Sequence, residues 1–387
     1  MQSISTSIHV ELLEEWSGPE MERLGSVDES SCDGFPRQSS NNLVNNCGCA
    51  KTSHELAACV AAQAKESFED SMLELMASFP KRDVIAPFKK SEVKLGRLLG
   101  SGEFSHVYEI RSFNIGSSEA AASVNKEEHE LREFMKSREL YRDSRKARYA
   151  IKHLKPELVD KYESKEYSKY ASDIVIEAEF LSMLQHPNIM RLRGISDEGS
   201  AGLVNGPSGY FLIIDKLDET LDGRIEAWKK LGLKKKSSFE LLQSSVSSLT
   251  GKKKKDDDSK DEPSPLAQRL EIALQLAAAV NYLHGKRILF RDLKPANCGF
   301  DVRGDLKLFD FGLAKLMPTD IDPYEDLHKM SMAGTPRYMS PEALAGKAYN
   351  LKADVYTFSI VLWEILSLHR PFVGIRNSPA LIRQVGK

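Results

Sequence analysis

The sequence predicts an α+β fold with a strand-rich part followed by a mainly helical part. A strand, a tight turn and a second strand are predicted over 94–110, and short apolar β-runs recur at 149–152 and 210–217. An amphipathic helix is predicted over 266–284, with one apolar face formed by Leu270, Leu274, Ala277, Val280 and Leu283. These two kinds of hydrophobic pattern distinguish strands from helices.

The bulk composition indicates one large two-lobed domain with a tail, because 387 residues with a hydrophobic fraction of 41% can bury a substantial core. The chain has 54 basic and 56 acidic residues, which gives a net charge of −2. This balance excludes a strongly basic nucleic-acid binder, so no nucleic-acid partner is expected.

No membrane span is predicted, because the longest apolar candidate, 355–366, is interrupted by Thr357, Ser359 and Glu364. The N-terminus lacks the basic start and the apolar core of a secretory signal. Five cysteines without a regular framework indicate a reducing environment. We therefore expect an intracellular protein, either cytoplasmic or nuclear.

The first 90 residues divide into two segments. Residues 1–50 are rich in Ser, Asn, Gly and acidic residues and are predicted to be a disordered tail. Residues 51–90 are predicted to be an amphipathic helical segment, which Thr52 and Glu55 start with a capping box. We expect it to pack on the following domain or on a partner through one apolar face, formed by Leu56, Val60, Ala64, Phe68, Met72, Leu75 and Phe79.

A zinc site is the alternative interpretation of this segment. Its ligands would be Cys47, Cys49, His54 and Cys59. Their spacing is one residue short of a zinc knuckle, so the helix is the favoured interpretation.

The predicted turn within 94–110 contains Gly100, Ser101 and Gly102. Two glycines let the backbone approach a phosphate closely and donate amides to it, although such a turn is more often a simple hairpin. A dinucleotide-binding motif is excluded because a second β-run, rather than a helix, follows the turn.

Two charged segments interrupt the pattern. The helix-compatible stretch 111–147 is predicted to be a solvated surface insertion. The stretch 233–264 has lysine and aspartate runs among serines and prolines, which predicts a low-complexity loop. Nuclear import or an acidic partner is an alternative role for its lysines.

Lys152 ends an apolar β-run, where an unpaired buried ammonium would be strongly destabilising. A carboxylate partner is therefore expected. The helix predicted over 173–185 contains Glu177 and Glu179, which lie about 200° apart around its axis, so both cannot face the lysine.

Further along the chain, two adjacent turns carry metal- or proton-handling groups. Asp292 and Asn297 lie five residues apart within Phe290–Asn297, and Asp310 immediately precedes Phe311 and Gly312. Together with the glycine turn and the strand lysine, this stretch resembles the catalytic and magnesium loops of the eukaryotic protein kinases. Lys294 and the stretch 334–338 resemble the serine/threonine class of that family.

The resemblance covers about residues 92–375 and implies a kinase domain over 91–387 with the two insertions. The implied fold has a small N-lobe with an antiparallel sheet and one main helix, and a mainly helical C-lobe. The implied reaction is transfer of the ATP γ-phosphate to Ser or Thr hydroxyls of protein substrates in intracellular signalling, with Mg²⁺ as the metal.

Roles for individual residues also follow from the resemblance. Asp292 would accept or orient the acceptor proton, and Lys294 would reach the γ-phosphate. Lys152, fixed by Glu177, would hold the α- and β-phosphates, while Asn297 and Asp310 would hold Mg²⁺. ATP would contact the gatekeeper, the hinge, the glycine turn and the residues around them, which are Leu99, Gly100, Ser101, Gly102, Val107, Ala150, Lys152, Ile214, Asp215 and Leu217.

The resemblance also implies regulation by an upstream activating kinase. Arg291, beside the catalytic aspartate, would bind a phosphate on the activation loop at 313–339. Ser331 is the first candidate acceptor, followed by Thr319 and Tyr324. Thr335 is assigned instead to the substrate-binding wall, and an aspartate on the next buried helix, Asp354, would anchor the catalytic loop.

The chain departs from the family pattern at three places. Phe290 replaces the usual histidine, where an aromatic ring can still stack under Phe311. Gly299 stands where an apolar side chain lies beneath adenine, which predicts weaker ATP binding. The chain ends at Lys387, so we expect an incomplete C-lobe with exposed apolar side chains at Val361, Leu362, Ile365 and Leu366.

Two other functions are compatible with parts of this pattern. A catalytically weak or inactive pseudokinase acting as a scaffold would be consistent with an incomplete C-lobe and with Gly299. A small-molecule phosphotransferase would share the aspartate and asparagine, but it would not need the peptide platform at 334–342.

Overall fold

The computed structural model describes residues 52–72, 84–116, 126–141, 146–158, 164–231, 265–375 and 380. The tail predicted for 1–50 and the loop predicted for 233–264 lie outside these residues, as do Leu75 and Phe79. A β-sheet dominates the N-terminal part and helices dominate the C-terminal part, which confirms the predicted α+β, two-lobed class.

The N-lobe is built on one six-stranded sheet in the spatial order β1-β5-β6-β4-β3-β2. Its neighbouring strands are antiparallel except for β1 and β5, which run parallel. The first strand precedes residue 91, so the sheet recruits part of the segment predicted as helical. The six strands are β1 (Ala86–Phe88), β2 (Val93–Ser101), β3 (Ser105–Phe113), β4 (Tyr149–Leu154), β5 (Leu192–Ser196) and β6 (Phe211–Asp215).

Strand β4 lies inside this sheet, between β3 and β6, and all six of its residues are buried. Apolar side chains suit such a doubly covered strand. The exceptions are Lys152 and His153, which the fold therefore has to satisfy with partners.

Among the described residues, the helices that accompany the sheet are α1 (Ser53–Met72), α2 (Lys126–Ser137) and α3 (Ser164–Met183). The predicted capping box starts α1, because Glu55 N donates to Thr52 Oγ1 at 3.2 Å and Thr52 N donates to Glu55 Oε2 at 2.9 Å. The buried face of α1 packs along α3, as expected for docking on the domain that follows.

Helix α2 lies within the segment predicted as a solvated insertion, but it is not solvated all round. Arg132 and Met135 are buried, and Arg132 forms an ion pair with Glu92, next to β2. The high charge of the segment concealed this docked face, because a buried arginine looks like a surface residue until its carboxylate partner is known.

The C-lobe combines helices with two small sheets, of spatial order β10-β9-β7 and β11-β8. In chain order its elements are β7 (Glu219–Thr220), α4 (221–231), α5 (Pro265–Gly285), β8 (Ile288–Leu289), β9 (Cys298–Phe300), β10 (Leu306–Leu308), β11 (Lys315–Leu316), α6 (Pro341–Leu344) and α7 (Lys352–Ser367).

Helix α5 is apolar on more than one face, and the structure buries a different face from the predicted one. Val280 and Leu283 are buried as predicted, whereas Leu270 and Leu274 are 48% and 64% exposed. Ile272 and Leu276 are buried instead. When apolar residues lie on several faces of a helix, their spacing alone does not show which face is buried.

Helix α7 packs against α5 and corrects another expectation. Val361 and Ile365 are fully buried rather than exposed, because they face α5 and the main core. Leu366 is 37% exposed, as expected, and Leu362 is half-buried. Within the part of the chain that the structure describes, no helix has the length and hydropathy needed to cross a bilayer.

Candidate active site

A buried ammonium joins the two lobes at the base of the cleft. Lys152 on β4 donates to Glu177 Oε2 on α3 at 2.6 Å and to Asp310 Oδ1 at 3.0 Å. Lys152 and Glu177 are only 6% and 3% exposed. The fold thus brings Lys152 together with two other predicted site residues, Glu177 and Asp310, which follow it by 25 and 158 positions in the chain.

The charges of Lys152 and Asp310 support one another, whereas burial and the nearby Asp310 raise the pKa of Glu177 to about 7 against the charge of Lys152. Burial alone would lower the pKa of Lys152, but the charges of Asp310 and Glu177 and their hydrogen bonds outweigh burial and raise it. Burial alone would raise the pKa of Asp310, but Lys152 and then Lys294 hold it below its ordinary value. The pair is therefore an ammonium and a carboxylate at neutral pH.

The register of α3 decides which glutamate faces the lysine. Glu177 faces the cleft, while Glu179 Oε1 lies 2.8 Å from Lys65 Nζ of α1. The two glutamates therefore serve opposite sides of the same helix, as its periodicity requires.

Asp292 is the centre of a second hydrogen-bond network, and its side chain is buried. Its Oδ2 accepts from Lys294 Nζ at 2.7 Å and from Asn297 Nδ2 at 3.0 Å. Asn297 Nδ2 also donates to the Asp292 carbonyl at 2.9 Å. These bonds hold the Asp292 carboxylate in one orientation.

Thr335 closes this network from the far end of the activation segment. Its backbone N and its Oγ1 both donate to Asp292 Oδ1, at 2.8 and 2.7 Å. Lys294 Nζ donates to Thr335 Oγ1 at 2.8 Å. From the sequence, Thr335 was expected in the substrate-binding wall. Its direct hydrogen bond to Asp292 was not predicted, because the two residues lie 43 positions apart and no local motif links them.

The catalytic loop is anchored from below by Asp354 of α7, which is 1% exposed. Its carboxylate accepts from the backbone N of Phe290 at 2.7 Å and of Arg291 at 2.9 Å. Arg291 and Asp310 have φ values of +71° and +70°, an unfavourable region for residues with a side chain. The two bonds from Asp354 hold the backbone at Phe290 and Arg291 in this conformation.

The two predicted metal ligands are oxygen donors, which suit a hard cation such as Mg²⁺. Asn297 uses its Nδ2 to bind Asp292, which turns Oδ1 to the opposite side of the amide. Asp310 is kept ionised by its lysine neighbours. Among the described residues no three His, Cys, Asp or Glu side chains form a metal cluster, so substrate oxygens would have to complete such a site.

The zinc alternative receives no support from the structure. His54 Nδ1 lies 3.4 Å from the Tyr167 hydroxyl, and Cys59 takes part in a disulfide bond. This disulfide does not fit the reducing environment expected from the cysteine pattern. Cys47 and Cys49 lie outside the described residues.

The predicted nucleotide residues lie around the edge of the cleft. In the sheet, Val107 pairs with Lys152, and Ala150 pairs with Ile214. Leu99, Val107 and Leu217 are partly buried and pack against the main core, while a Cβ on Gly100 would meet open space. Asp215 faces Arg193, which binds its carboxylate twice at 2.8 Å, so its side chain is committed to the fold.

The glycine turn is a tight connection between β2 and β3. Gly102 N donates to the Ser105 carbonyl at 2.9 Å, and Ser101 pairs with His106. Neither Gly100 nor Gly102 has a positive φ. A Cβ on Gly100 would meet open space, whereas one on Gly102 would be in ordinary contact with Ser105 Oγ at 3.6 Å, so backbone conformation does not require glycine at either position.

Aromatic rings link the magnesium loop to both lobes. Phe290 and Phe311 are fully buried and pack edge-to-face, with ring centroids 5.0 Å apart. Phe290 thus contacts Phe311 as predicted for the residue that replaces histidine, but edge-to-face rather than stacked. The ring centroid of Phe180 of α3 lies 6.2 Å from that of Phe311.

Comparison with known proteins adds an independent observation. Residues 133–385 match the family described as the protein kinase domain. The cAMP-dependent protein kinase type 3 of Saccharomyces cerevisiae is 26% identical over 75% of this chain and 52% of its own length. The dual specificity protein kinase shkD of Dictyostelium discoideum is 41% identical over 28% of this chain and 14% of its own. The serine/threonine-protein kinase CTR1 of Arabidopsis thaliana is 38% identical over 31% of this chain and 14% of its own.

The chain therefore spans about half of the first of these relatives and a smaller share of the other two. The glycine turn lies before the first matched residue of the family comparison, whereas β4, α3, the catalytic loop and the activation segment lie within it. Because this match covers more than half of the sequence, the chain belongs to the protein kinase family.

Proposed function

We propose that the chain is a protein serine/threonine kinase that transfers the γ-phosphate of ATP, in the presence of Mg²⁺, to hydroxyl groups of protein substrates. The observation that carries the proposal is the buried Asp292 carboxylate, which Lys294, Asn297 and Thr335 hold in one orientation. A positioned carboxylate beside a lysine suits the delivery of a hydroxyl nucleophile to a phosphoryl group.

Lys152, together with Glu177 and Asp310, would bind the nucleotide and its metal ion. Bound MgATP supplies the transferable phosphoryl group and a divalent charge that neutralises it. Lys152, held by Glu177 at 2.6 Å, would contact phosphate oxygens as a fixed positive charge. Asn297 and Asp310 would hold the metal through oxygen atoms.

The acceptor side of the reaction falls to Asp292. Its carboxylate would orient the incoming hydroxyl and accept its proton. Lys294, which contacts both Asp292 and Thr335, would neutralise charge on the group in transfer. The segment that carries Thr335 starts at Gly334, whose φ of +116° and close approach to the Arg291 carbonyl require glycine.

Regulation by phosphorylation is part of the proposal. Arg291 Nη1 lies 3.4 Å from Ser331 Oγ, and the same guanidinium also donates to the Leu313 carbonyl. A phosphate on Ser331 would add charge-assisted bonds to Arg291 and strengthen the tie between the activation segment and the catalytic loop. Full activity with no phosphate found in 313–339 by intact-mass and site mapping would contradict this part.

The test of the main proposal is phosphate transfer from labelled ATP with Mg²⁺ to a generic basic protein. The purified chain is compared with Asp292→Asn and Lys152→Met, each checked for folding by circular dichroism. We expect transfer by the unaltered chain and a loss of at least about a hundredfold in both variants. Equal signals from all three would reject catalysis and favour a scaffold.

Acceptor specificity needs a separate measurement, because a dual specificity kinase is among the relatives. Acid hydrolysis of the labelled product separates phosphoserine and phosphothreonine from phosphotyrosine. Label on serine and threonine alone is expected, and comparable label on tyrosine would contradict the serine/threonine assignment.

A further inference from the structure

Tyr324 reaches from the surface of the activation segment to a buried histidine at the end of α5. Its hydroxyl lies 3.0 Å from His284 Nδ1, and the two rings meet edge-to-face with centroids 5.7 Å apart. Tyr324 is 38% exposed, whereas His284 is 5% exposed. One end of this contact is therefore accessible from solvent, and the other end lies inside the C-lobe.

His284 continues the contact to the anchor of the catalytic loop. Its Nε2 lies 3.2 Å from Asp354 Oδ2, the oxygen that also accepts from the backbone N of Phe290. The other carboxylate oxygen accepts from the backbone N of Arg291, whose φ is +71°. An unbroken series of hydrogen bonds thus connects Tyr324 with two backbone amides of the catalytic loop.

The direction of each bond in this series follows from the chemistry of Asp354. An ionised carboxylate has no proton to donate, so the proton between it and His284 belongs to Nε2. In the neutral ring Nδ1 is then the acceptor, and the Tyr324 hydroxyl is its donor. Burial and the charge of Asp354 both raise the pKa of Tyr324, so the hydroxyl keeps its proton at neutral pH. The tyrosine therefore fixes which nitrogen of His284 carries the proton.

Backbone contacts hold Tyr324 in place next to this histidine. Its carbonyl accepts from Asn350 Nδ2 at 2.6 Å, and the backbone N of Leu351 donates to the carbonyl of Pro323 at 3.1 Å. Asn350 and Leu351 lie directly before α7, the helix that carries Asp354. The two ends of the hydrogen-bond series are thus tied together through the backbone as well.

We infer that Tyr324 is a positioning residue for phosphate transfer, which acts through His284 and Asp354 on the backbone of the catalytic loop. The inference rests on the proposed function, because it concerns the geometry of the loop that carries Asp292. Tyr324 contacts neither the nucleotide nor the acceptor in this scheme. Its loss should therefore slow the chemical step and leave substrate binding unchanged.

Phosphorylation of Tyr324 would oppose this role. From the sequence, Tyr324 was a candidate acceptor for an activating phosphate. A phosphate on its oxygen would replace the hydroxyl donor with an anion near Asp354 and would break the series. Tyr324 therefore differs from Ser331, whose hydroxyl lies beside the Arg291 guanidinium.

The test compares steady-state phosphate transfer by the full chain with transfer by Tyr324→Phe, His284→Gln and the double variant. Phenylalanine keeps the ring and loses the hydroxyl, while glutamine keeps an amide donor for Asp354 and loses the acceptor at Nδ1. Each single variant should lower kcat about five- to tenfold and keep both KM values within about twofold. The double variant should be no slower than the slower single variant, because both changes break the same series.

Tyr356→Phe, which removes a hydroxyl on α7 itself, is the matched control and should match the unaltered chain. Amide hydrogen exchange, followed by mass spectrometry on peptides that cover 288–293, gives a readout independent of catalysis. Exchange should be faster in Tyr324→Phe than in Tyr356→Phe, because the loop amides lose part of their support. Urea unfolding checks that the variants are folded.

Two outcomes would overturn the inference while leaving the proposed function intact. One is a Tyr324→Phe variant with the kcat of Tyr356→Phe. The other is a double variant in which the two losses multiply, since the two side chains would then act separately. If the unaltered chain transfers no phosphate, the proposed function fails. The exchange rates then decide alone whether Tyr324 holds the loop, and equal rates in the two phenylalanine variants reject it.

Discussion

Phe68 of α1 packs edge-to-face against Phe180 of α3, with ring centroids 4.8 Å apart. The ring centroid of Phe180 lies 6.2 Å from that of Phe311, which directly follows Asp310. Helix α3 also carries Glu177, which holds Lys152. The N-terminal helix is thus two aromatic contacts from the catalytic centre, and it supports the helix that positions the lysine.

Phe68→Ala should destabilise the chain by about 3 kcal/mol, because the phenylalanine is only 9% exposed and its loss leaves a cavity against α3. Phosphate transfer should fall as well, because α3 loses support. Urea unfolding measures the first effect. Phe68→Leu should lose much less, and Glu66→Ala, on the exposed side of α1, is the matched control. A Phe68→Ala variant as stable as Glu66→Ala would show that the contact is dispensable.

Glu177→Gln should reduce phosphate transfer by about 10- to 100-fold, because the buried Lys152 loses a charged partner and its position. Glu179→Gln is the comparison, since it lies on the same helix and bonds Lys65 instead. Transfer by Glu179→Gln should stay within about threefold of the unaltered chain. Similar losses in both variants, measured under initial-rate conditions, would contradict the distinct roles of the two glutamates.

Thr335→Val should lower transfer by about tenfold or more while leaving stability nearly unchanged. Valine keeps the shape of threonine but removes the hydroxyl that bonds Asp292 and Lys294. Thr335→Ser, which restores the hydroxyl, should recover most of the rate. Loss of activity in both variants would point to the methyl group rather than the hydroxyl.

Asp173 of α3 predicts a pH dependence of stability. Burial raises the pKa of its carboxyl to about 7, against the opposing charges of Lys169 and Arg291. The folded state therefore holds a proton that the unfolded chain has released, and stability falls as pH rises from about 4 to about 7.

Asp173→Asn should remove the part of this dependence that comes from Asp173, while Glu177, whose pKa burial also raises to about 7, keeps its own contribution. The variant should gain about 1–2 kcal/mol over the unaltered chain between pH 5.5 and pH 8, measured by urea unfolding at each pH. Lys126→Gln, an exposed lysine at the start of α2, provides the control. A difference between variant and unaltered chain that stays constant with pH would show that the carboxyl titrates in its ordinary range.

The elements that the sequence predicted well are those with strong local patterns. The glycine turn between β2 and β3, the apolar run of β4 and the helix α5 are within a few residues of their predicted bounds. Helix α3 starts nine residues earlier than predicted. Strand β1 was not predicted, because three residues carry no periodicity and gain their strand character only by pairing with β5.

By itself, the sequence determined the α+β class, the two loops that carry Asp292, Asn297 and Asp310, and the need of Lys152 for a carboxylate. Only the tertiary structure decided that Thr335 bonds Asp292, that α1 supports α3, and that Tyr324 connects through His284 to Asp354. The first group depends on residue type and short spacing, which a single chain displays directly. The second depends on contacts between segments far apart in the chain, and packing rather than pattern selects those partners.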